Sequence, residues 1–263
     1  MFTVSACVWC LKGDATASVR RLRSAGFDSV DLRPDCWEGI GDAGHLQQLG
    51  VTAQCAGITP ITMAPGLSLN SLATPDADRA LPYLTGALER ASRLGAKWAY
   101  MVTPTDRVGD NPEYARSMSR LADAAERLEI KLCVEPSPGR ALGNYTEVTE
   151  LLAAAGAPNL YALVDLGHLL LTGEDPAGTV RMLGKRTGYV HIDDNDGKAD
   201  RHFGLLEGVL TAGQLQSFLD ALVEVEYDAP LGAEISNALP SPVSSLAATR
   251  DYVAWWAERR ASA

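Results

Sequence analysis

The sequence predicts a single α/β domain over residues 1–263, folded as a (β/α)8 TIM barrel. Eight short apolar runs alternate with eight amphipathic segments, which is the pattern of a parallel sheet covered by helices. The length of 263 residues is ordinary for one such barrel. The main structural alternative is a doubly wound open sheet. The segment after the first strand, WCLKGDATAS, carries neither of the glycine-rich phosphate loops that usually mark that fold.

The strand candidates are continuous apolar runs, as expected where both faces of a parallel sheet are buried. In chain order they cover residues 2–9, 28–33, 51–57, 97–103, 130–135, 160–166, 187–193 and 230–235. The helix candidates follow them near residues 15–25, 42–49, 76–95, 111–129, 145–156, 176–185, 211–225 and 243–259. Helical spacing is clear in the stripe Tyr114, Met118 and Leu121, which predicts one face packed on the barrel.

Composition limits the classes of function. The net charge is −10, from 23 Lys and Arg against 33 Asp and Glu, which argues against general nucleic-acid binding. No run of about 18 apolar residues predicts a membrane span, and the N-terminal MFTVSACVWC does not resemble a signal peptide. We therefore expect a cytoplasmic protein without membrane association. The five cysteines are expected to be free structural thiols, although Cys7 and Cys10 have the C-x-x-C spacing of some redox and zinc sites.

Four polar residues stand near the C-terminal ends of the last four strand candidates. They are Glu135, Asp165, His191 and Glu234. Active sites of barrels form at this face, so the four side chains are expected to converge. Three carboxylates and an imidazole are a ligand set for a divalent cation, with Mn²⁺, Mg²⁺ or Co²⁺ favoured over Zn²⁺. A helix cap or an ion-pair partner explains any one of the four alone, but four on consecutive strands favour a cation site.

A cation in this position would polarise a carbonyl or hydroxyl oxygen of a substrate and acidify a neighbouring C–H group. Glu135 and Glu234 flank the other two ligands, so they are the predicted catalytic pair. One would remove the proton as a general base and the other would return it, through a metal-bound enediolate. Proton transfer between adjacent carbons isomerises a sugar, and return to the opposite face epimerises it.

The segments VEP, VDLGH, HIDDNDG and GAEIS resemble the xylose-isomerase-like TIM barrel superfamily. Within it they are similar to the sugar phosphate isomerase/epimerase group, which includes ketose 3-epimerases, hydroxypyruvate isomerases and inosose dehydratases. The resemblance covers essentially the whole chain. It implies a divalent ion on the four residues named above, an acid–base role for the two glutamates, and a His168 that faces a small carbohydrate substrate. It also implies a possible homo-oligomer.

The connection after the seventh strand, residues 193–210, is long enough to be a lid or binding segment. It resembles the N-D-G…D-x-H…G-E-G stretch of some members, with Leu206 in place of a usual glycine. Asp200 and His202 also resemble the D-R-H metal ligands of endonuclease IV. The histidines which that enzyme takes from strands three and four are missing here, so a trinuclear zinc nuclease is not expected. Further candidates for substrate contact are Asp193, His202, Glu207 and Trp37.

Two other functions stay open. A metal-dependent lyase would use the same chemistry to expel a leaving group from a keto-sugar or cyclitol, by dehydration or by cleavage of a C-glycoside. A non-catalytic sugar-binding barrel would keep the fold without turnover. The intact glutamate pair favours an enzyme, because binding alone does not need a second base. For His202, Glu207 and Trp37, a plain structural role is the alternative to substrate contact.

Overall fold

The computed structural model describes residues 2–106, 108 and 111–262. It contains a closed barrel of eight parallel strands in chain order, with the last strand paired to the first, as the sequence predicts. The strands are β1 Val4–Cys7, β2 Ser29–Leu32, β3 Thr52–Gly57, β4 Trp98–Val102, β5 Lys131–Glu135, β6 Leu160–Asp165, β7 Thr187–Ile192 and β8 Leu231–Ala233. Because the strands are parallel, their carboxyl ends open at one mouth.

Helices cover the outside of the barrel. In the described residues they are α1 Ala15–Ser24, α2 Ala43–Gln48, α3 Ala77–Leu94, α4 Pro112–Arg127, α5 Tyr145–Ala155, α6 Leu166–Thr172, α7 Pro176–Leu183, α8 Ala212–Glu224 and α9 Pro242–Ala261. None of them combines the length and the apolar character that a membrane-spanning segment requires. All five cysteines are free and buried, as expected of structural thiols.

Two boundaries in the sequence prediction were wrong. The first strand was predicted over 2–9, but Val8–Cys10 form a short 3-10 helix, which turns the chain across the mouth. Helix α6 was not predicted at all, because its apolar residues read as the end of a strand reaching residue 166. The helix begins there because Asp165 caps it: the backbone N–H of His168 donates to Asp165 Oδ1 at 2.8 Å.

The barrel interior carries a polar contact between strands that are not neighbours. The hydroxyl of Tyr189 on β7 lies 3.0 and 2.9 Å from the two carboxylate oxygens of Asp31 on β2. Since β8 and β1 separate these strands, the hydrogen bond crosses the interior. Residues two apart in a strand point to the same face, so His191 also points inward, one step closer to the mouth than Tyr189.

The long connection between β7 and α8 is fixed by a buried carboxylate. Asp194 is fully buried, and its oxygens accept the backbone N–H groups of Asn195, Gly208 and Leu210 at 2.7–3.0 Å. A further pair of backbone hydrogen bonds joins Asp194 to Phe203. The segment that carries His202 is therefore held against the mouth by the fold itself.

Gly188 lies in a tightly packed part of the barrel. It lies where the pairing of β6 with β7 shifts by one residue, and a Cβ at this position would lie 2.4 Å from Tyr161 Cβ and 2.7 Å from Cys133 Sγ. We expect Gly188→Ala to lower the free energy of unfolding by about 1–3 kcal/mol, because an overpacked core must shift its backbone. Urea unfolding measures this difference.

The matched control is Gly213→Ala in α8, where a Cβ would meet nothing within 4 Å. This variant should unfold at the wild-type urea concentration or slightly above it, because alanine favours a helix. Equal stability of the two variants would contradict the packing at Gly188.

Candidate metal centre and active site

The four residues predicted as cation ligands meet at the mouth of the barrel. Glu135 and Asp165 end β5 and β6, His191 lies in β7, and Glu234 follows β8. One ligand atom of each lies within 4.8 Å of the others. The strand register explains this, because His191 pairs with Asp165 on one side and with Gly232 on the other. Glu234, two residues after Gly232, points to the same face.

Nδ1 of His191 is the centre of this cluster. It lies 2.9 Å from Glu234 Oε2, 3.3 Å from Glu135 Oε1 and 3.8 Å from Asp165 Oδ2. Among the described residues, neither His191 Nδ1 nor Asp165 Oδ2 has a partner with hydrogen-bond geometry. The ligand atoms of the four side chains therefore surround one position without hydrogen-bonding to one another. A shared cation would satisfy this arrangement.

Water hardly reaches the cluster, and its charges act on one another strongly. Asp165 and His191 are fully buried, and Glu135 is 4% exposed. Burial alone would lower the pKa of His191, but the carboxylates of Glu234 and Glu135 raise it well above its usual range. Burial opposes ionisation of Glu234, yet His191 holds the pKa of that carboxyl below its usual range. Burial, followed by the charge of Asp193, raises the pKa of Asp165.

Two ligand carboxylates are oriented by hydrogen bonds to their outer oxygens. Trp9 Nε1–H donates to Glu234 Oε1 at 2.7 Å, which leaves Oε2 to face His191. Asp165 uses Oδ1 to cap α6, which leaves Oδ2 to face the cluster. In each carboxylate one oxygen is therefore fixed by the fold and the other is available to a ligand.

A second group of polar side chains adjoins the first. His202 Nδ1 lies 2.9 Å from Asp193 Oδ2, and its Nε2 lies 3.2 Å from Asp200 Oδ1. His168 Nε2 lies 3.4 Å from Asp200 Oδ2. His168 Nδ1 lies 3.0 Å from the carbonyl of Pro136, which can only accept, so Nδ1 carries a proton. The structure thus brings together the predicted substrate-contact residues His168, Asp193 and His202.

The neighbouring carboxylates raise the pKa of both imidazoles in this second group. Burial lowers the pKa of His168, but Asp165 and Asp200 raise it to about 10. The same competition raises the pKa of His202, through hydrogen bonds to Asp193 and Asp200. The histidines hold the pKa of Asp200 below its usual range, against the effect of burial. One nitrogen of His168 and both nitrogens of His202 therefore face carboxylate oxygens, and the fold fixes their directions.

The other two predicted contact residues lie in different surroundings. Trp37 follows a short 3-10 helix and packs against the apolar core. The carboxylate of Glu207 accepts the backbone N–H of Gly204 at 3.1 Å and the hydroxyl of Ser245 at 2.8 Å, which ties the loop to α9. Their contact with substrate stays a prediction.

Three residues next to the cluster were missed or left undecided by the sequence. Trp9 reaches Glu234 only because the chain turns at Val8–Cys10, a turn without a sequence signal. Tyr100 on β4 packs edge to face on His191, with ring centroids 5.1 Å apart. Asp31 lies below His191 in the middle of an apolar run. A charged residue at such a position is a signal in itself, because unpaired burial of a carboxylate is costly.

Comparisons with known proteins agree with this architecture. Fructoselysine 3-epimerase of Escherichia coli O157:H7 is 25% identical over an alignment of 216 residues, which covers 74% of this chain and 77% of that protein. Inosose dehydratase of Clostridium tetani is 24% identical over 145 residues, 54% of this chain and 44% of that protein. A solved structure of L-ribulose 3-epimerase has a TM-score of 0.79 at 17% identity and covers 100% of this chain and 97% of its own.

A family model described as xylose isomerase-like TIM barrel matches residues 19–259. The match includes the four residues of the first cluster and the predicted contact residues of the second. It thus spans most of the barrel, from α1 to α9. The chain belongs to the xylose isomerase-like TIM barrel family.

Proposed function

We propose that the chain is a divalent-metal-dependent isomerase or epimerase of a keto-sugar or related carbohydrate. The observation that carries the proposal is the convergence of Glu135, Asp165, His191 and Glu234 within 4.8 Å at the barrel mouth. The two relatives named above support the carbohydrate class, since one is a sugar epimerase and the other acts on a cyclitol ketone, an inosose.

The residues present fit a cation. Asp165 Oδ2 and His191 Nδ1 are buried without hydrogen-bond partners in the described part of the chain, and such groups are rare in a folded protein unless a ligand satisfies them. Three oxygen ligands and one nitrogen suit Mn²⁺, Mg²⁺ or Co²⁺ better than a structural zinc ion. When bound, the ion would polarise a substrate carbonyl or hydroxyl oxygen and acidify the adjacent C–H group.

The glutamates supply the proton transfer. Glu135 and Glu234 approach His191 Nδ1 from different strands, at 3.3 and 2.9 Å, so a substrate above the imidazole would lie between them. One carboxylate takes the proton from the C–H group and becomes a carboxylic acid. The other glutamate, which enters the step as a carboxylic acid, gives its proton to the opposite face of the same carbon and so inverts the configuration there. Alternatively, a proton is returned to the neighbouring carbon while the hydroxyl proton shifts between the two substrate oxygens, which moves the carbonyl.

The second group would orient the substrate. Imidazole nitrogens of His168 and His202 face the carboxylates of Asp193 and Asp200, so a substrate oxygen would receive an N–H donor by taking the place of a carboxylate. A substrate hydroxyl can accept a hydrogen bond from histidine and donate one to a carboxylate, whereas a substrate carbonyl oxygen can only accept. A polyhydroxylated substrate could therefore be held on one side by His168 and His202 while its reacting carbon lies between the glutamates.

A lyase is the second candidate, and the similarity to inosose dehydratase favours it. The first step would be the same removal of a C–H proton. In the lyase, a β-hydroxyl group would then leave as water, with the proton supplied by the second carboxylic acid. Reaction of a keto-sugar panel in D2O separates the two outcomes: a stereoisomer or positional isomer carrying deuterium supports the proposal, and an unsaturated product with released water supports the lyase.

Replacing either glutamate should remove turnover. We expect Glu135→Gln and Glu234→Gln each to lower kcat by about 100-fold or more, because an amide cannot exchange the proton. Circular dichroism should show a folded protein in both cases. Glu226→Gln is the matched control, since Glu226 is exposed and pairs with Lys185 away from the mouth. Wild-type kcat in either catalytic variant would exclude that glutamate from proton transfer.

Adding metal should stabilise the fold. At a Mn²⁺ concentration about 100 times Kd, binding adds about 2.7 kcal/mol to the free energy of unfolding, so Tm should rise by roughly 5–10 °C for a chain of this size. Differential scanning fluorimetry of protein stripped with a chelator measures the shift. Asp165→Asn should lose most of the shift, because the fully buried Oδ2 would no longer be a charged ligand. If stripped wild-type protein gains no stability from Mn²⁺, Mg²⁺ or Co²⁺, the cation site is refuted.

Removing the indole donor should slow catalysis without removing the fold. Trp9→Phe keeps an aromatic ring but loses the N–H bonded to Glu234. Hydrogen bonds to charged groups contribute about 1.5–3 kcal/mol, so we expect kcat to fall by about 10- to 100-fold. Trp255→Phe is the control, because Trp255 lies exposed on α9. An equal effect of the two substitutions would argue against a specific role of Trp9.

A further inference from the structure

Asp31 is a fully buried carboxylate inside the barrel. Its Oδ1 accepts the hydroxyl of Ser5 at 2.7 Å and the backbone N–H of Cys55 at 3.2 Å. The hydroxyl of Tyr189 lies 3.0 and 2.9 Å from its two oxygens. The thiol of Cys7 is a weak fourth donor, 3.9 Å from Oδ2. Most of the strong donors therefore converge on Oδ1, and Oδ2 keeps capacity for another hydrogen bond.

The space next to Oδ2 leads to His191. A Cβ at Gly232 would lie 2.5 Å from Asp31 Oδ2 and 2.9 Å from His191 Cδ2, so the missing side chain leaves a gap that both groups border. Cδ2 is bonded to Nε2 in the imidazole ring. Asp31, Cys7 and His191 also form a group whose ligand-type atoms lie within 4.8 Å of one another. The carboxylate therefore faces the edge of His191 that is turned away from Glu135 and Glu234.

Nε2 of His191 needs a partner on that edge. It is buried, and no described residue gives it hydrogen-bond geometry. On the other side of the ring, Nδ1 faces the three carboxylates of the cluster. For Nδ1 to bind a cation it must present its lone pair, which requires the proton of the neutral ring to be on Nε2. An Nε2–H group in turn requires an acceptor.

We propose that Asp31 is a positioning residue, which accepts the Nε2–H of His191 and thereby fixes the tautomer and the orientation of this ligand. The inference rests on the proposed function, because it assumes a cation at Nδ1. One bridging water spans the space between the two groups where they do not touch directly. Carboxylates commonly accept the second N–H of a metal-bound histidine, and their loss weakens metal binding.

Gly232 contributes to the same arrangement of Asp31 and His191. It pairs with His191 across β7 and β8 and with Ser5 across β8 and β1, so it lies between the imidazole and the donors that hold Asp31. Any side chain there would enter the space between Asp31 and His191. The glycine is thus required by the close approach of the two groups.

Asp31→Asn is the decisive variant, because it keeps the shape of the side chain and leaves Oδ1 to accept from Ser5 and Cys55. The new amide places an N–H donor opposite Nε2, which favours the tautomer with its proton on Nδ1. We expect the Kd for Mn²⁺ to rise by about 10- to 100-fold, measured from free Mn²⁺ by electron paramagnetic resonance. Activity lost at limiting Mn²⁺ should return largely at saturating Mn²⁺, since the catalytic glutamates are unchanged.

Ser5→Ala is the matched control. It removes one donor to Oδ1 and leaves Oδ2 facing His191, so its Kd for Mn²⁺ should stay within about threefold of the wild type, well below the effect of losing the carboxylate. Equal weakening in both variants would mean that Asp31 and its hydrogen-bond donors affect Mn²⁺ binding only through general packing. The inference would then fail.

A spectroscopic measurement keeps the inference testable if Asp31→Asn does not fold. In wild-type protein loaded with diamagnetic Mg²⁺, ¹⁵N-edited NMR should show the His191 Nε2 as protonated and its proton as slow to exchange. A proton on Nδ1 or an unprotonated Nε2 would overturn the proposal. If wild-type protein binds no divalent cation at all, the proposed function fails as well. If it binds one and Asp31→Asn binds it equally tightly, only the role of Asp31 fails.

Discussion

Three carboxylates directed at one imidazole nitrogen are the constraint on which this structure depends. Two like charges about 4 Å apart repel by roughly 4 kcal/mol at an effective dielectric constant of 20, and the mouth holds three carboxylates around Nδ1 of His191. Burial lowers the pKa of His191, but the field of the carboxylates raises it above its usual range. A divalent cation would offset the repulsion, and the same field would then act on a substrate oxygen.

The barrel imposes this geometry through its register. Asp165 lies beside His191, and His191 lies beside Gly232, in three consecutive strands. Each strand contributes side chains to the interior at every second position, so the ligand layer sits directly above a layer that contains Tyr189. The hydrogen bonds of Trp9 and of the α6 N-terminus then select which oxygen of Glu234 and Asp165 faces inward. Backbone topology sets the distances, and local hydrogen bonds set the orientations.

The sequence predicted the closed barrel because eight short apolar runs alternate with eight amphipathic segments. It also predicted the four residues that meet at the mouth, since each ends or follows a short apolar run. It could not predict α6, whose apolar residues fit a strand as well as a helix, nor the turn that carries Trp9 to Glu234. Contacts across the interior, such as Tyr189 with Asp31, depend on shear between strands far apart in the chain. The presence of Asp31 within an apolar run was a sequence signal for such a contact, but it was not used in the prediction from sequence.

The interior polar groups and the mouth form one column. Asp31 lies at its base, the imidazole of His191 stands above it, and the carboxylates of Glu135, Asp165 and Glu234 close the top. The imidazole therefore lies between Asp31 on one side and the three carboxylates of the mouth on the other. Because the imidazole has only two nitrogens, a group that fixes one of them determines what the other offers. In the proposed role of Asp31, the identity of a residue in β2 bears on the chemistry at the C-terminal end of β7, through a gap that Gly232 in β8 leaves open.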